Sequence, residues 1–161
     1  MNLTKEHPNR TPDQSEAVLV ILSEDLSAND LADAVGLSPD RSWNRGDMMR
    51  VGRPRRAYHG VEFRSRLDPA MDPDDHLADL LARVSPHRDQ LKKLAARLNA
   101  SSQRKDLVRV WVTHLTSNGM PGYDFSPDQL RQVNDLGAYL GISIDFNIEC
   151  PEPESLPSSN T

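Results

Sequence analysis

One structural pattern occurs twice in this sequence, and the repetition restricts the folds that the chain can adopt. In the first copy, an apolar run at 17–22 precedes a serine, a helical pattern and Gly36. In the second copy, an apolar run at 107–112 precedes a serine, a helical pattern and Gly141. Short apolar runs are typical of buried strands, and a serine before a helical pattern is typical of an N-cap. Each copy therefore predicts a strand followed by a capped helix.

The same comparison predicts where the two helices begin and end. Ser27 and Ser126 are the predicted N-caps, because a serine hydroxyl can accept a hydrogen bond from the first helical turn. Gly36 and Gly141 are the predicted stops, because glycine readily adopts the left-handed conformation that often ends a helix. With these limits, the second helix is longer than the first by roughly a turn and a half.

Further segments complete the predicted fold. Two alternating segments, 61–67 and 142–148, predict half-buried strands nearer the sheet edges, with the two apolar strands at the centre. Asp72-Pro73 and Ser85-Pro86 each begin a helical pattern and predict a pair of helices. We therefore expect an α+β fold of the ferredoxin-like type. Its two pseudo-duplicated β-α-β halves would surround a four-stranded, mainly antiparallel sheet, with the helical pair inserted between the halves.

Composition sets the domain limits and the class of protein. Segments 1–16 and 150–161 are poor in large apolar residues and predict disordered tails around a single domain at 17–149. The only cysteine, Cys150, excludes an intrachain disulfide framework. The sequence has no apolar leader segment and no apolar run approaching the roughly 20 residues of a membrane helix. These features predict a cytoplasmic protein without a membrane segment.

Charge is distributed very unevenly along the chain. Between Arg41 and Arg66 eight arginines face two acidic residues, so this segment carries +6 and the remainder carries −11 of the net charge of −5. Residues 38–60, which overlap most of this segment, contain several glycines and prolines. They predict a long loop, with a short edge strand near 48–51. Long loops within compact domains are often functional.

The arginine-rich loop 41–60 holds the candidate binding residues. Arginines interspersed with aromatic side chains are typical of surfaces that recognise acidic proteins or nucleic acids. A competing interpretation is that these arginines simply pair with the acidic surface of the same molecule. The candidate residues are Trp43, Arg45, Arg50, Arg53, Arg55, Arg56 and Tyr58.

No pattern in the sequence predicts catalysis. The five histidines lack the spacing of a metal site, and neither a Gly-x-Ser-x-Gly turn nor a phosphate-binding glycine loop occurs. Ser27 and Ser126 are explained as helix caps, and Cys150 lies outside the predicted domain. We therefore predict no catalytic residue, no metal and no cofactor, and we favour a non-enzymatic protein.

The function that these features favour is protein binding through the loop 41–60. The alternative is that the same loop binds nucleic acid or a small anionic ligand, because arginine forms paired hydrogen bonds with phosphate and carboxylate groups. The acidic net charge argues against nucleic acid. The oligomeric state is left open by the sequence.

The sequence also resembles a known family. The residues that carry the resemblance are Leu26-Ser27-x-x-x-Leu31, Gly36-Leu37-x-Pro39, Gly46-Asp47, the strand at 61–65, Leu77-x-x-Leu80-Leu81 and Leu130…Leu140-Gly141-Ile142-x-Ile144-Asp145-x-x-Ile148. Over 17–149 the chain resembles a widespread bacterial family of small single-domain proteins, catalogued as domain of unknown function four-two-seven-nine. The resemblance implies a compact bacterial protein without established catalytic residues, compatible with an immunity or interaction role.

Overall fold

Five strands and four α-helices make up the described part of the chain, residues 13–49, 54–102, 107–116 and 123–146, in a computed structural model. Their order along the chain is β1 (Gln14–Ser23), α1 (Ala28–Val35), β2 (Arg41–Trp43), β3 (His59–Arg64), α2 (Pro73–Val84), α3 (Arg88–Ser101), β4 (Val108–Thr116), α4 (Pro127–Asp135) and β5 (Tyr139–Phe146). A short 3-10 helix, Ser85–His87, separates α2 from α3. The predicted helical pair is therefore confirmed.

The strands form one mixed sheet in the order β2-β3-β1-β4-β5. β1 is antiparallel to both β3 and β4, β2 is antiparallel to β3, and β5 is parallel to β4. β1 is the central strand and β4 lies beside it, but β3, predicted to lie nearer an edge, is the other neighbour of β1 and is as far from a sheet edge as β4. A central strand is buried on both faces to a greater extent than an edge strand, which explains its continuous apolar run.

The finer prediction of the fold class needs correction. The fold is α+β, but the sheet has five strands rather than four and does not match the ferredoxin-like duplication. β1 and β2 are both antiparallel to β3, so they run in the same direction with β3 between them. In the second unit, β5 lies directly beside β4. The two β-α-β units therefore differ, because only the first one is split by an inserted strand.

The edge strand in the arginine-rich segment also lies at a different place from the prediction. It is β2, whereas near the predicted position 48–51 the described residues show only an isolated bridge between Met48 and Arg55. Residues 50–53 lie outside the described residues. A strand of three residues is too short to show the alternation by which strands are recognised in a sequence.

The core lies between the helices and one face of the sheet. Ala17, Leu19 and Ile21 of β1 are fully buried against this layer, whereas their neighbours Glu16 and Val20 point to the other face and are half-buried. A strand alternates its side chains between the two faces, so the pattern shows that the helices cover one side. Among the described residues, no helix packs on the opposite face, which is called the open face below.

Both predicted helix caps are present. Ser27 and Ser126 each form a capping box, with Asp30 and Gln129 as the reciprocal partners. Gly36 ends α1 with a left-handed φ of 72°. The two capping boxes satisfy backbone N–H groups in the first turn of each helix, which a helix cannot pair by itself.

Gly141 does not end the second helix, contrary to the prediction. α4 ends at Asp135, and Gly137 follows with a φ of 68°. α4 therefore has nine residues and α1 has eight, so the predicted difference in length is wrong. Gly141 lies within β5, where a Cβ atom would approach Trp111 Cε3 to 2.5 Å. The glycine leaves room for the tryptophan ring that lies across it.

The predicted tails fall mostly outside the described residues, which exclude 1–12 and 147–161. β1 begins at Gln14, within the predicted N-terminal tail. In the part of the chain that the structure describes, no helix is sufficiently long and apolar to cross a bilayer.

Candidate functional site

The segment between β2 and β3 folds back on itself as a short arm. The arm is defined here as residues 44–49 and 54–58, the described part of this segment. The Gly46 N–H donates to the Arg56 carbonyl at 2.9 Å, and the Arg56 N–H donates to the Asp47 carbonyl at 2.9 Å. The bridge between Met48 and Arg55 extends the pairing outward. The described part of the arginine-rich segment is thus a paired extension of the sheet edge rather than an irregular loop.

The base of the arm is joined to helix α1 and to β3. The Asp47 carboxylate accepts a hydrogen bond from the Asn44 N–H at 2.7 Å. The Asn44 Oδ1 atom accepts from the Ala28 N–H at 3.1 Å and lies 2.9 Å from the His59 Nδ1 atom. Because Ala28 begins α1, one amide side chain links the arm to the helix layer. These contacts fix the direction in which the arm leaves the sheet.

Trp43 stands beside the arm, on the open face of β2. Its ring lies against Gly60, where an added Cβ atom would overlap the Trp43 Cζ2 atom. The Arg56 guanidinium carbon lies 4.3 Å from the centroid of the same ring, within cation–π distance. The tryptophan and the arginine therefore pack on each other and stiffen the base of the arm.

The predicted binding residues are placed as follows. Arg45 and Arg55 are exposed on the arm, and Arg55 Nη1 donates to the Gly46 carbonyl at 2.8 Å. Arg56, Trp43 and Tyr58 are half-buried. Arg50 and Arg53 lie outside the described residues. The structure thus brings three of the five predicted arginines onto one arm.

Two methionines on the arm were missed by the sequence argument. Met48 is 67% exposed and Met49 is 43% exposed, and both lie among the arginines. Exposed methionine is unusual in a stable monomer but common at binding surfaces, because its side chain adapts to different partners. Two adjacent methionines in an arginine-rich segment were the signal that could have identified them.

Arginines of the sheet itself differ from those of the arm. Arg41 pairs with Glu62 at 3.7 Å, and Arg64 pairs with Glu62 at 3.2 Å and with Glu16. Burial lowers the pKa of Arg64, but its contacts with Glu62 and Glu16 raise that pKa by more, so its guanidinium stays charged. The interpretation that the arginines pair with the molecule's own acidic groups is therefore correct for the sheet.

The arginines of the arm do not follow this interpretation. Within the described residues, Arg45, Arg55 and Arg56 form no ion pair with a carboxylate. In the part of the chain that the structure describes, no carboxylate lies within ion-pair distance of these three guanidinium groups. An arm with such cations and exposed methionines has the composition of a recognition surface.

Asp40 anchors the chain immediately before β2. Its carboxylate accepts from the Arg64 N–H at 2.7 Å and pairs with Arg83 of α2. Arg83 Nη1 also donates to the Arg64 carbonyl at 2.7 Å. Burial raises the pKa of Asp40, but the hydrogen bonds from Arg83 and Arg64 lower that pKa by more. These contacts of Asp40 with Arg83 and with the Arg64 backbone, called the clamp below, hold the sheet edge from which the arm extends.

A second polar cluster lies at the opposite end of β1. A cleft of about 310 Å³ is lined in part by Ser15, Ser65 and His76. The Ser65 Oγ atom lies 2.6 Å from the His76 Nδ1 atom, and His76 Nε2 lies 3.1 Å from the Asp68 carbonyl oxygen. Because a carbonyl oxygen only accepts, Nε2 carries the proton and Nδ1 accepts from the Ser65 hydroxyl. The sequence does not identify Ser65 and His76 as a pair, because no short motif contains both residues.

The geometry of this cluster is that of a structural tie. A serine bonded to an oriented histidine resembles an activated nucleophile. However, Ser65 Oγ also accepts from the Ala17 N–H at 3.2 Å. The nearby N–H groups of Ser15 and Ser65 donate to carbonyls of Pro69 and Ala17. Neither of these two N–H groups is therefore available to an oxyanion, and the contacts of the cluster connect β1, Ser65 after β3, and α2.

A family model matches the chain over residues 13–147, and the description of that family is domain of unknown function (DUF4279). The chain belongs to the DUF4279 family. No curated protein and no solved structure matches the chain.

The DUF4279 match covers every element of the described fold. It includes the arm, the cleft and the edge strand β5. The description of the family assigns no activity, so the function of this DUF4279 protein has to be argued from the geometry of its own residues. Among the described residues, no group of three or more His, Cys, Asp or Glu side chains has the arrangement of a metal site.

Proposed function

We propose that this protein is a non-enzymatic protein-binding module and that the arm, with Trp43 at its base, is the contact surface. The observation that carries the proposal is the contrast between Arg41 and Arg64 of the sheet, which pair with carboxylates, and Arg45, Arg55 and Arg56, which have no such partner among the described residues. Arginine, tryptophan and methionine are enriched at the centres of protein interfaces.

The chemistry of the arm defines the partner that it fits. Met48 and Met49 present apolar surface, and the neighbouring arginines present positive charge. A complementary partner has an apolar patch surrounded by carboxylates. Because the chain outside residues 41–66 carries −11, an acidic partner is attracted to the arm and repelled elsewhere, which orients the encounter. In an immunity-type form of the proposal, the same contact would block the activity of the partner.

Binding of nucleic acid or a small anionic ligand is the alternative use of the arm. The exposed Arg45 and Arg55 suit phosphate or carboxylate groups. Stacking with a base needs an open aromatic face. The Trp43 ring is already in contact with Gly60 and Arg56, which favours a protein partner over single-stranded nucleic acid.

The test is affinity capture from the native host, followed by measurement with the purified partner. The captured protein is identified, purified and titrated by calorimetry against the wild type, Arg55→Glu and Arg131→Glu. The last variant is the matched control, since Arg131 is exposed on α4 and pairs only with Asp128 among the described residues. We expect Arg55→Glu to weaken binding at least tenfold, about 1.4 kcal/mol, and Arg131→Glu to leave it unchanged.

Two outcomes would contradict the proposal. One is a partner whose affinity falls equally with Arg55→Glu and Arg131→Glu, because only net charge would then matter. The other is the absence of any specific partner at physiological salt. A gel shift with single-stranded nucleic acid at two salt concentrations separates the alternative, since phosphate contacts weaken steeply as salt rises.

A further inference from the structure

The edge strand β5 lacks the features that usually protect a sheet edge. In the described part of the chain its only neighbouring strand is β4, so its outer backbone edge meets no other strand. It is eight residues long, contains no lysine or proline, and carries a single charged residue, Asp145. Natural sheets usually shorten, charge or cover such an edge to prevent pairing with other chains. A long, nearly uncharged edge is therefore a surface on which another strand can add.

Exposed apolar side chains accompany this edge. Tyr139 is 51% exposed and Ile142 is 44% exposed on β5, and Leu130 is 45% exposed on α4, the helix that precedes β5 and contacts it. These side chains belong to β5 and α4, at the opposite sheet edge from the methionines of the arm, and Tyr139 and Ile142 lie on opposite faces of β5. Exposed apolar side chains on both sides of an open strand edge favour an interface at that edge.

The two faces of β5 differ in chemistry. Leu140 and Ile142 are paired in register with Val110 and Val112 of β4, whose side chains point into the core. Leu140, Ile142 and Ile144 therefore share the helix side of the sheet, because partners in register share a face. Tyr139, Gly141, Ser143 and Asp145 share the open face.

This pattern is self-complementary in one antiparallel register. If two copies pair about a two-fold axis through Ile142, Leu140 lies opposite Ile144 of the second copy and Ile142 lies opposite Ile142. On the open face, Tyr139 lies opposite Asp145, where a phenol can donate to a carboxylate. A slip of one residue would place Leu140 opposite Asp145 and mix the faces, which a half-buried strand disfavours.

We propose that a second copy of this chain pairs with β5 in that register and forms a two-fold symmetric dimer with one continuous sheet. Each copy has one such edge, because the other edge is the three-residue β2 with Arg41 and the arm. The assembly therefore closes at two copies and does not extend into a filament. The inference is independent of the protein-binding proposal. In the dimer the two arms would lie at the two outer edges of the continuous sheet, where they could bind a repeated or dimeric partner together.

Sedimentation velocity of the full chain over a range of concentrations tests this inference. We expect the wild type to sediment as a dimer and Ile142→Lys to sediment as a monomer with an unchanged circular dichroism spectrum. Met48→Lys is the matched control, because it places the same charge on an exposed apolar residue of the opposite edge. That variant should remain dimeric even if it loses partner binding, so the two proposals fail separately.

Cross-linking tests the register and does not depend on the stability of the lysine variant. In a Cys150→Ser background, Ile142→Cys should form an intermolecular disulfide under mild oxidation, because the two Cα atoms would lie within the roughly 4.4–6.8 Å that a disulfide spans. Ser143→Cys should not form a disulfide, because residue 143 lies opposite residue 141 of the second copy. The two introduced cysteines would therefore be diagonal to each other and too far apart. A wild type that is monomeric at every concentration, or a dimer that persists in Ile142→Lys, would overturn the inference.

Discussion

Replacing Arg83 by methionine should loosen the sheet edge that carries the arm. The Arg83 side chain is 11% exposed and the Asp40 side chain is 29% exposed, so the pair is largely but not fully removed from water. Arg83 also donates to the carbonyls of Arg64 at 2.7 Å and of Ser38 at 3.4 Å. Methionine keeps the apolar stem of the side chain and removes the donors.

The expected cost follows from these contacts. Removing one partner of a buried ion pair costs about 3–5 kcal/mol, because the other charge is left without a partner. Water can reach the partly exposed Asp40 carboxylate and replace some of the lost interaction, which reduces the cost to about 2–3 kcal/mol for Arg83→Met. The measurement is urea denaturation at neutral pH, followed by circular dichroism.

The pH dependence provides a second check on the same clamp. The pKa of Asp40 lies below its ordinary value of 3.8, so its interaction stabilises the folded state at pH values above that of the unfolded carboxyl. This stabilisation is lost as pH falls through the folded pKa. The difference in free energy of unfolding between the wild type and Arg83→Met should therefore be constant near neutrality and shrink below about pH 4.

Arg131→Met is the matched control, since its pair with Asp128 is 68% and 76% exposed on the two sides. Such exposed pairs contribute little, and we expect a change within about 0.5 kcal/mol. A change in stability for Arg83→Met no larger than that for Arg131→Met would show that the pair of Arg83 with Asp40 does not stabilise this edge. A stability difference that stayed the same down to strongly acidic pH would refute the role of the Asp40 carboxylate.

Two further predictions concern packing and the buried serine–histidine pair. Gly60→Ala and Gly141→Ala should each lower the free energy of unfolding by about 1–3 kcal/mol, because the new methyl group must displace the tryptophan ring that covers the glycine. Unchanged thermal melting and unchanged tryptophan fluorescence would contradict this prediction. Ser65→Ala should cost about 1–3 kcal/mol, because it leaves a nitrogen of the buried His76 without its hydrogen-bond donor. A fluorophosphonate probe should label neither the wild type nor Ser65→Ala, and labelling at Ser65 would show that the pair is catalytic.

Much of the fold was predictable because its signals are local. The apolar runs identified the strands β1 and β4, and the serine caps identified the starts of α1 and α4. Asp72-Pro73 likewise located the start of α2. Each of these features depends on a residue and its near neighbours, so it is visible without knowledge of the fold.

The errors occurred where a local pattern had two possible causes. Gly141 has the spacing of a helix stop, but its actual partner is Trp111 on the neighbouring strand. The strand β2 has only three residues, and its pairing with β3 becomes evident only in the assembled sheet. The same pairing inserts β3 between β1 and β2 and removes the predicted symmetry of the two halves.

Some features of the candidate site are likewise visible in the sequence, and others depend on the tertiary structure. The concentration of arginines in one segment and the acidity of the remaining chain are visible in the amino-acid sequence. Which arginines pair depends on the folded sheet, because the register of β2, β3 and β1 brings Arg41 and Arg64 to Glu62 and leaves the arm arginines beyond ion-pair distance of that carboxylate. An ion pair acts over a few ångströms, and the sheet sets those distances between residues far apart in the chain.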